Sequence, residues 1–337
     1  MGVGISLLVS LFISIALILL AYVGVDKLGL HSLFGVYIPY AALAIFIVGI
    51  ILRVFKWARS PVPFRIPTTA GQEKSLPWIK QNKIDNPSTA LGTFIRMVFE
   101  VLLFRSLFRN TRTELRGGPQ ISFASAKWLW VASLAFHYSF LIILTRHLRL
   151  FTEPVPYVIE KLEFFDSFFQ VGVPLLYITD VVFIAAVTYL FIRRVFIPQL
   201  RYISLPADYF PLFLIGGIGV TGVLMRYFFK VNVVAVKELT MSLAKFSPTI
   251  PEGIGVLFYI HLFLVSILFA YFPFSKLTHM AGVFLSPTRN LANTNRMKRH
   301  VNPWNYPVKT HTYQEYEEEF KKFMEMANLP LDKVEKE

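Results

Sequence analysis

With 337 residues, a hydrophobic share of 55% and a mean hydropathy of +0.53, the chain is too apolar for an ordinary soluble domain and long enough for several membrane spans. It contains no cysteine, which excludes a thiolate-held iron–sulfur cluster, a covalently attached c-type haem and a disulfide from this chain. A formal net charge of +13 would point to nucleic acid in a soluble protein, but in an apolar chain its distribution among the loops matters more than its sum.

Six windows with few or no charges, at residues 3–25, 33–52, 128–145, 168–192, 209–225 and 253–274, match the length a hydrocarbon core demands. They predict an all-α polytopic membrane bundle of six transmembrane helices. The first window has no Lys or Arg before it and no small-residue cleavage site behind it, so it reads as a retained helix. Its opening also fits a loose N-myristoylation pattern, but a helix that already spans gains little from one acyl chain.

Residues 53–127 carry 13 Lys and Arg, residues 193–201 carry 3 and the tail from Lys276 carries 10, against 1, 3 and 4 in the other loops. By the positive-inside rule this places both termini, the long second loop and the fourth loop in the cytoplasm. Three regions follow: an N-terminal helix with an outer turn (1–32), a membrane domain (33–275) enclosing the cytoplasmic loop 53–127, and a cytoplasmic tail (276–337). The loop opens with a proline-rich extended run at 60–69. Within residues 88–110, Phe94, Val98 and Leu102 share a face while Arg96, Arg105 and Arg109 could reach headgroups, as in an interfacial helix. A seventh span there would bury Arg96 and Glu100. The tail ends in a polar helix over residues 313–328, and with no core of its own it is either disordered or folded against another protein.

Four of the seven histidines carry the functional argument. His137 and His147 lie in or at the end of the third window, 10 residues apart, and His261 and His279 lie in or just past the sixth, 18 apart. A neutral imidazole in a membrane needs a polar partner inside the bundle, and haem iron held between two helices is one. Antiparallel spans pair His147 with His261 at the outer side and His137 with His279 at the inner side. Ten helical residues rise about 15 Å and eighteen about 27 Å, so straight axes cannot level both pairs, and Pro273 supplies a break. His31, His300 and His311 read as surface or tail residues. Arg146, Arg149 and Arg226 on the outer side, and Lys276 with Arg194 on the inner side, are candidates for haem propionates, although arginines at span ends also simply snorkel. Gly216, Gly217, Gly219 and Gly222 in the fifth window allow close approach of a macrocycle or, more commonly, of another helix. Asp180, inside the fourth window, is a candidate for proton transfer or for a helix-to-helix hydrogen bond.

The spacing pattern resembles the di-haem cytochrome b gamma subunits of respiratory nitrate reductases, whose ligand helices carry histidines 10 and 18 residues apart. That resemblance implies a five-helix di-haem core over windows two to six plus an extra N-terminal helix, two b haems on His137, His147, His261 and His279, and a quinol site near the outer haem. Residues 60–67 (SPVPFRIP), 74–87 (KSLPWIKQNKIDNP), 100–111 (EVLLFRSLFRNT) and 302–308 (NPWNYPV) resemble a second branch more closely. This is the DsrM family of membrane cytochrome b subunits, from the DsrMKJOP or Hdr-like menaquinol-oxidising complexes. It implies menaquinone as substrate, a prokaryotic cell membrane, and a cytoplasmic heterodisulfide reductase-like partner, DsrK, carrying the iron–sulfur centres. It further implies companion subunits with multihaem cytochrome c, ferredoxin-like clusters and a second membrane subunit. The nitrate reductase quinone-site lysine has no clear counterpart, which leaves Lys161 and Asp166 on the outer loop as guesses. Two rivals remain: a proton-coupled transporter, for which the expected inverted repeats are missing, and a haem-free anchor for soluble subunits.

Overall fold

The structure, a computed structural model, describes residues 3–60, 71–117, 120–167, 175–294, 297 and 310–332. Residues 61–67 of the proline-rich motif, the 302–308 motif and His300 lie outside the described residues. Among the described residues five helical runs are long and apolar enough to cross a membrane, Gly4–Lys27, Leu33–Ala58, Lys127–Leu150, Pro206–Phe228 and Val256–Phe274, and the chain is a multi-pass, mostly helical membrane protein.

Helix α1 (Val3–Tyr22) continues into a wider π turn at Val23–Lys27. Its Ser6, Ser10 and Ser14 recur every four residues and are buried, and the Ser10 and Ser14 hydroxyls each return to a carbonyl one turn back, Ser10 to Ser6 and Ser14 to Ser10, both at 2.9 Å. Small residues on one stripe let helix backbones approach, and Ser10 also donates to the carbonyl of Pro206 at 3.1 Å. The first helix therefore packs into the bundle, against the helices that begin at Pro206 and Val256. After a second π turn, α2 (Ile38–Ala58) carries its first Arg or Lys only at Arg53.

The long loop holds α3 (Ala90–Leu103), capped by Thr89, whose hydroxyl accepts from the Gly92 amide at 3.1 Å, and a short α4 (Arg105–Phe108). Helix α3 is inverted relative to a soluble helix. Leu91, Phe94, Ile95, Val98 and Leu102 are exposed, while Thr93, Arg96 and Glu100 are buried. Burial depresses the Arg96 guanidinium, with Glu100 opposing that shift and Arg289 adding to it. Glu100 pairs with Arg289 at 2.9 Å and accepts from the Ser106 hydroxyl at 2.6 Å. The all-α expectation needs one correction: β1 (Thr111–Arg116) and β2 (Gln120–Ser125) form an antiparallel hairpin with Thr111 opposite Ser125. The strands are paired along their whole length, from Thr111 with Ser125 to Arg116 with Gln120.

Then come α5 (Lys127–His147), α6 (Tyr157–Asp166), α7 (Ile178–Phe196), the short α8 (Pro198–Ile203), α9 (Pro206–Val223), α10 (Val233–Ala244) and α11 (Val256–Tyr271). Three short pieces follow, α12 (His279–Gly282), α13 (Pro287–Asn290) and α14 (Tyr313–Met326), the last closed by a capping box between Thr312 and Glu315.

The fourth window is where expectation and structure part. Residues 175–177 are not helical, and α7 starts at Ile178 with an extended Tyr177 before it and continues past Ile192 through Arg193 and Arg194. Its two terminal arginines and Asp180 lower its apolarity, so among the described residues five helices, and not the expected six, are long and apolar enough to span. Asp180 consequently sits in the first turn of α7 and not at mid-helix.

Helix α11 packs on α1, α2 and α9, α9 on α7, and α7 on α5. Gly219 makes the α7–α9 approach possible, since a Cβ there would lie 2.6 Å from Phe183 Cε1. A second close approach is Gly49 of α2 against Pro273, where a Cβ would lie 2.6 Å from the ring.

Candidate functional site

Helices α5 and α11 run antiparallel and present two histidine pairs, one at each end of the bundle. The His147 and His261 rings face each other with centroids 6.4 Å apart and planes within 8° of parallel. His137 and His279 have centroids 5.9 Å apart and planes at 84°. The second pair exists because α11 does not stay straight. It stops at Tyr271, Phe272–Phe274 tighten into a 3₁₀ turn containing Pro273, Ser275 is extended, and Lys276–Thr278 form another 3₁₀ turn before His279.

Hydrogen bonds fix the tautomers. Nδ1 of His137 lies 2.7 Å from the Ser133 carbonyl, Nδ1 of His147 lies 2.7 Å from that of Ile143, and Nδ1 of His279 lies 3.0 Å from that of Lys276. A carbonyl oxygen can only accept, so each of these Nδ1 atoms carries the proton. Nδ1 of His261 meets the Thr221 hydroxyl at 2.8 Å, and that hydroxyl has the Gly217 carbonyl at 2.8 Å to receive its own proton. All four imidazoles therefore keep a free lone pair on Nε2. Two imidazoles on opposite faces of one metal, each about 2 Å from it, have centroids about 6 Å apart. The donor set and both separations fit bis-histidine haem b.

Between the two histidine levels lies an apolar layer. Phe136, Phe140 and Ile143 of α5 pack with Phe183, Ile184 and Val187 of α7, Ile215 of α9 and Leu268 of α11. The Phe136 and Phe183 rings stack at 5.6 Å, and Phe136 and Phe104 both meet His137 edge-on, at 5.0 and 4.9 Å.

At the His147 end a buried ionic network surrounds Arg146. Its Nη2 donates to Asp180 at 2.5 Å and its Nε lies 3.3 Å from Asp166, out of line for a hydrogen bond. Asp180 also accepts from the Tyr227 hydroxyl at 2.8 Å, and Asp166 accepts from the Thr179 amide and hydroxyl at 2.9 and 2.6 Å. Arg146 and Arg226 lie over the Tyr177 ring at 3.7 and 3.9 Å.

The propionate candidates are thus not equivalent. Arg146 is held by two carboxylates, Arg149 by Glu163 at 2.9 Å, and Lys276 by Asp208 at 2.6 Å, with Arg194 3.8 Å from that same carboxylate. Arg226 donates to the Leu175 carbonyl at 3.1 Å, its Nε is buried with no hydrogen-bond partner, and it pairs with no carboxylate among the described residues. Lys161 lies over the exposed rings of Tyr157 and Phe164, at 5.1 and 6.0 Å. His31 meets Tyr259 edge-on at 5.3 Å, and His311 lies 3.9 Å from Glu319.

Thr221, Tyr177, Tyr227 and Asp208 join the site without having been read from sequence. Only Asp208 carried a local signal, as a carboxylate in the first turn after Pro206 that accepts from the Leu205 amide at 3.0 Å.

The helices thus bring two facing histidine pairs to opposite ends of the bundle, with an apolar layer between them. The sequence pattern of the nitrate reductase gamma subunit family matches residues 97–299. The chain is 47% identical over 279 residues to the Hdr-like menaquinol oxidoreductase cytochrome b-like subunit of Archaeoglobus fulgidus, covering 81% of this chain and 83% of the relative. It is 46% identical over 275 residues to the subunit of the same description from Archaeoglobus profundus, covering 79% and 81%. The chain belongs to the nitrate reductase gamma subunit family, in the branch of the Hdr-like menaquinol oxidoreductase cytochrome b-like subunits.

Proposed function

We propose that this chain is the membrane cytochrome b subunit that carries electrons between the menaquinone pool and a cytoplasmic iron–sulfur subunit in dissimilatory sulfur respiration. His147 with His261, and His137 with His279, would each hold one haem b. Bound there, haem b supplies reversible one-electron chemistry whose potential follows its ligands, burial and nearby charge. The observation that carries the reading is the meeting of the two pairs, each within about 6 Å, with every Nε2 lone pair free.

The rest of the chain has supporting roles in this reading. Arg226 is the propionate partner of choice at the His147 end, because the other cations there are already paired with carboxylates. Lys161 and Asp166 remain the quinone-site candidates, with Lys161 the more open to a ligand and Asp166 tied to Thr179 and Arg146. The Tyr227–Asp180–Arg146 chain of contacts is the candidate route for protons at that end. The basic loop and tail face the cytoplasm in the charge-based orientation and would dock the heterodisulfide reductase-like partner, DsrK in the DsrM family. Helix α7 would complete six spans, with Arg193 and Arg194 snorkelling to the headgroups.

The test is a dithionite-reduced minus oxidised spectrum of the purified protein with haem quantified per chain. Two b haems per chain are expected, and His261→Ala should leave one. A colourless protein, or retention of both haems by His261→Ala, would overturn the assignment.

A further inference from the structure

A groove of about 480 Å³ runs along the surface between α2 and the broken end of α11. Its floor is Gly49 against Pro273, and its walls are Ile45, Val48, Leu52 and Phe274. Apart from the glycine and proline, these side chains are all exposed in a part of the chain apolar enough to lie in a bilayer, so they face lipid or another membrane component. One end of the groove differs from the rest. Arg53 and Lys56 line it there, one helical turn apart on α2, at the point where its apolar run ends.

These two cations are not consumed by the fold. No carboxylate pairs with either among the described residues. Arg53 lies over Trp57 at 5.4 Å, and its Nε is buried without a hydrogen-bond partner. From Ala44, at the apolar end of the lining, to Lys56 the helix rises about 18 Å, which is close to the thickness of one leaflet's hydrocarbon plus its headgroup.

We propose that this groove is a specific site for one anionic phospholipid, with the phosphate held by Arg53 and Lys56 and an acyl chain lying along Val48, Gly49, Pro273 and Phe274. The shape takes a chain and the charge takes an anion. A quinol fits less well. Among the described residues the lining offers no carboxylate, histidine or hydroxyl to receive its protons, and a neutral headgroup gains little from two cations without a carboxylate partner. This site is separate from the histidine pairs and does not depend on their role.

The test is native mass spectrometry on the full protein released from nanodiscs of equal phosphatidylglycerol and phosphatidylcholine. The wild type should retain one phosphatidylglycerol per chain in preference to phosphatidylcholine. Arg53→Gln with Lys56→Gln should cut that retention about thirtyfold, since each basic residue near an anionic headgroup contributes close to a fivefold effect. Val48→Trp, which fills the groove and leaves both charges, should also lose the lipid. Lys80→Gln with Lys83→Gln, in the loop away from the groove, should retain it. Equal retention of the two lipids, undiminished retention by the Arg53/Lys56 variant, an equal loss in the Lys80/Lys83 variant, or a bound quinone displaced by Val48→Trp would each overturn the proposal.

Discussion

Replacing Arg146 with alanine tests whether the network beside His147 is one buried ionic unit. The Arg146 side chain is 8% exposed, and it lies 2.5 Å from Asp180 and 3.3 Å from Asp166, whose side chains are 13% and 4% exposed. Its loss leaves two carboxylates sharing a site with little water to screen them. Breaking a buried pair in this way costs about 3–5 kcal/mol, because the remaining charge loses its partner and not its burial. Arg149, three residues on, is the internal control. It is 45% exposed and paired with Glu163 at 2.9 Å, so its loss should cost roughly 0–1 kcal/mol. At about 2–4 °C per kcal/mol, Arg146→Ala should lower the melting temperature in detergent by about 6–20 °C and Arg149→Ala by less than about 4 °C. Adding Asp180→Asn to Arg146→Ala should recover part of the loss, because that carboxylate then carries no charge in need of a partner. A fluorescence-detected melt at one scan rate reads all three variants. If Arg146→Ala lowers the melting temperature by less than about 4 °C, no more than is expected of Arg149→Ala, the network is solvated and the reasoning fails.

Thr221→Val keeps the shape of the side chain but removes the acceptor for His261 Nδ1–H, and loss of such an outer contact weakens metal ligation by about 10–100-fold. The haem content per chain should fall selectively at the His147/His261 end while the melt shifts little. Gly219→Ala puts a methyl group 2.6 Å from Phe183 and should cost about 1–3 kcal/mol by forcing α7 and α9 apart, read as a lower melting temperature. Because the chain lacks cysteine, single cysteines report cleanly. A polarity-sensitive maleimide at Phe94→Cys should emit as though in lipid, whereas Asn110→Cys, at the end of the loop helices, should emit as though in water; equal emission would contradict membrane contact by the α3 face.

The sequence made the histidine geometry legible for a specific reason. Polar groups are scarce in apolar spans, so four histidines in or just past the ends of two windows constrain one another once the spans alternate direction, and Pro273 marks where the second helix must break. The start of α7 was not legible. A hydropathy window scores composition without sensing where hydrogen bonding begins, so the fourth window ran through the non-helical residues 175–177 and placed Asp180 too deep. The β-hairpin left only a short trace, a Gly-Gly-Pro sequence after Arg116 and the alternation of Ile121 and Phe123, too brief to outweigh the helical periodicity earlier in the loop. The carboxylate partners of Arg146, Arg149 and Lys276 lie 14 to 68 residues away, and no local pattern announces them. Each cation therefore looked free to meet a propionate, and only the fold distinguishes Arg226.

The two histidine pairs are built by different means, and this bears on what each end of the bundle can do. His261 lies within an unbroken helix, and its Nδ1 is held by Thr221 from another helix, so its ring orientation is set by the packing of α9 on α11. His279 lies beyond the break, and its Nδ1 is held by the carbonyl of Lys276 three residues earlier, within a turn capped by Ser275 at 3.1 Å to the Leu277 amide. Local hydrogen bonds set that ring, and its plane stands at 84° to His137 where the other pair is within 8° of parallel. Charge differs too. The His147 end adjoins two arginines and two aspartates in a buried network, while the His279 end has Lys276 and Arg194 around Asp208 at the bundle surface. Ring orientation and nearby charge are both levers on the potential of an iron held between imidazoles. In the proposed reading, one residue type used four times would yield two chemically distinct haem sites, separated by a layer of phenylalanine and aliphatic side chains.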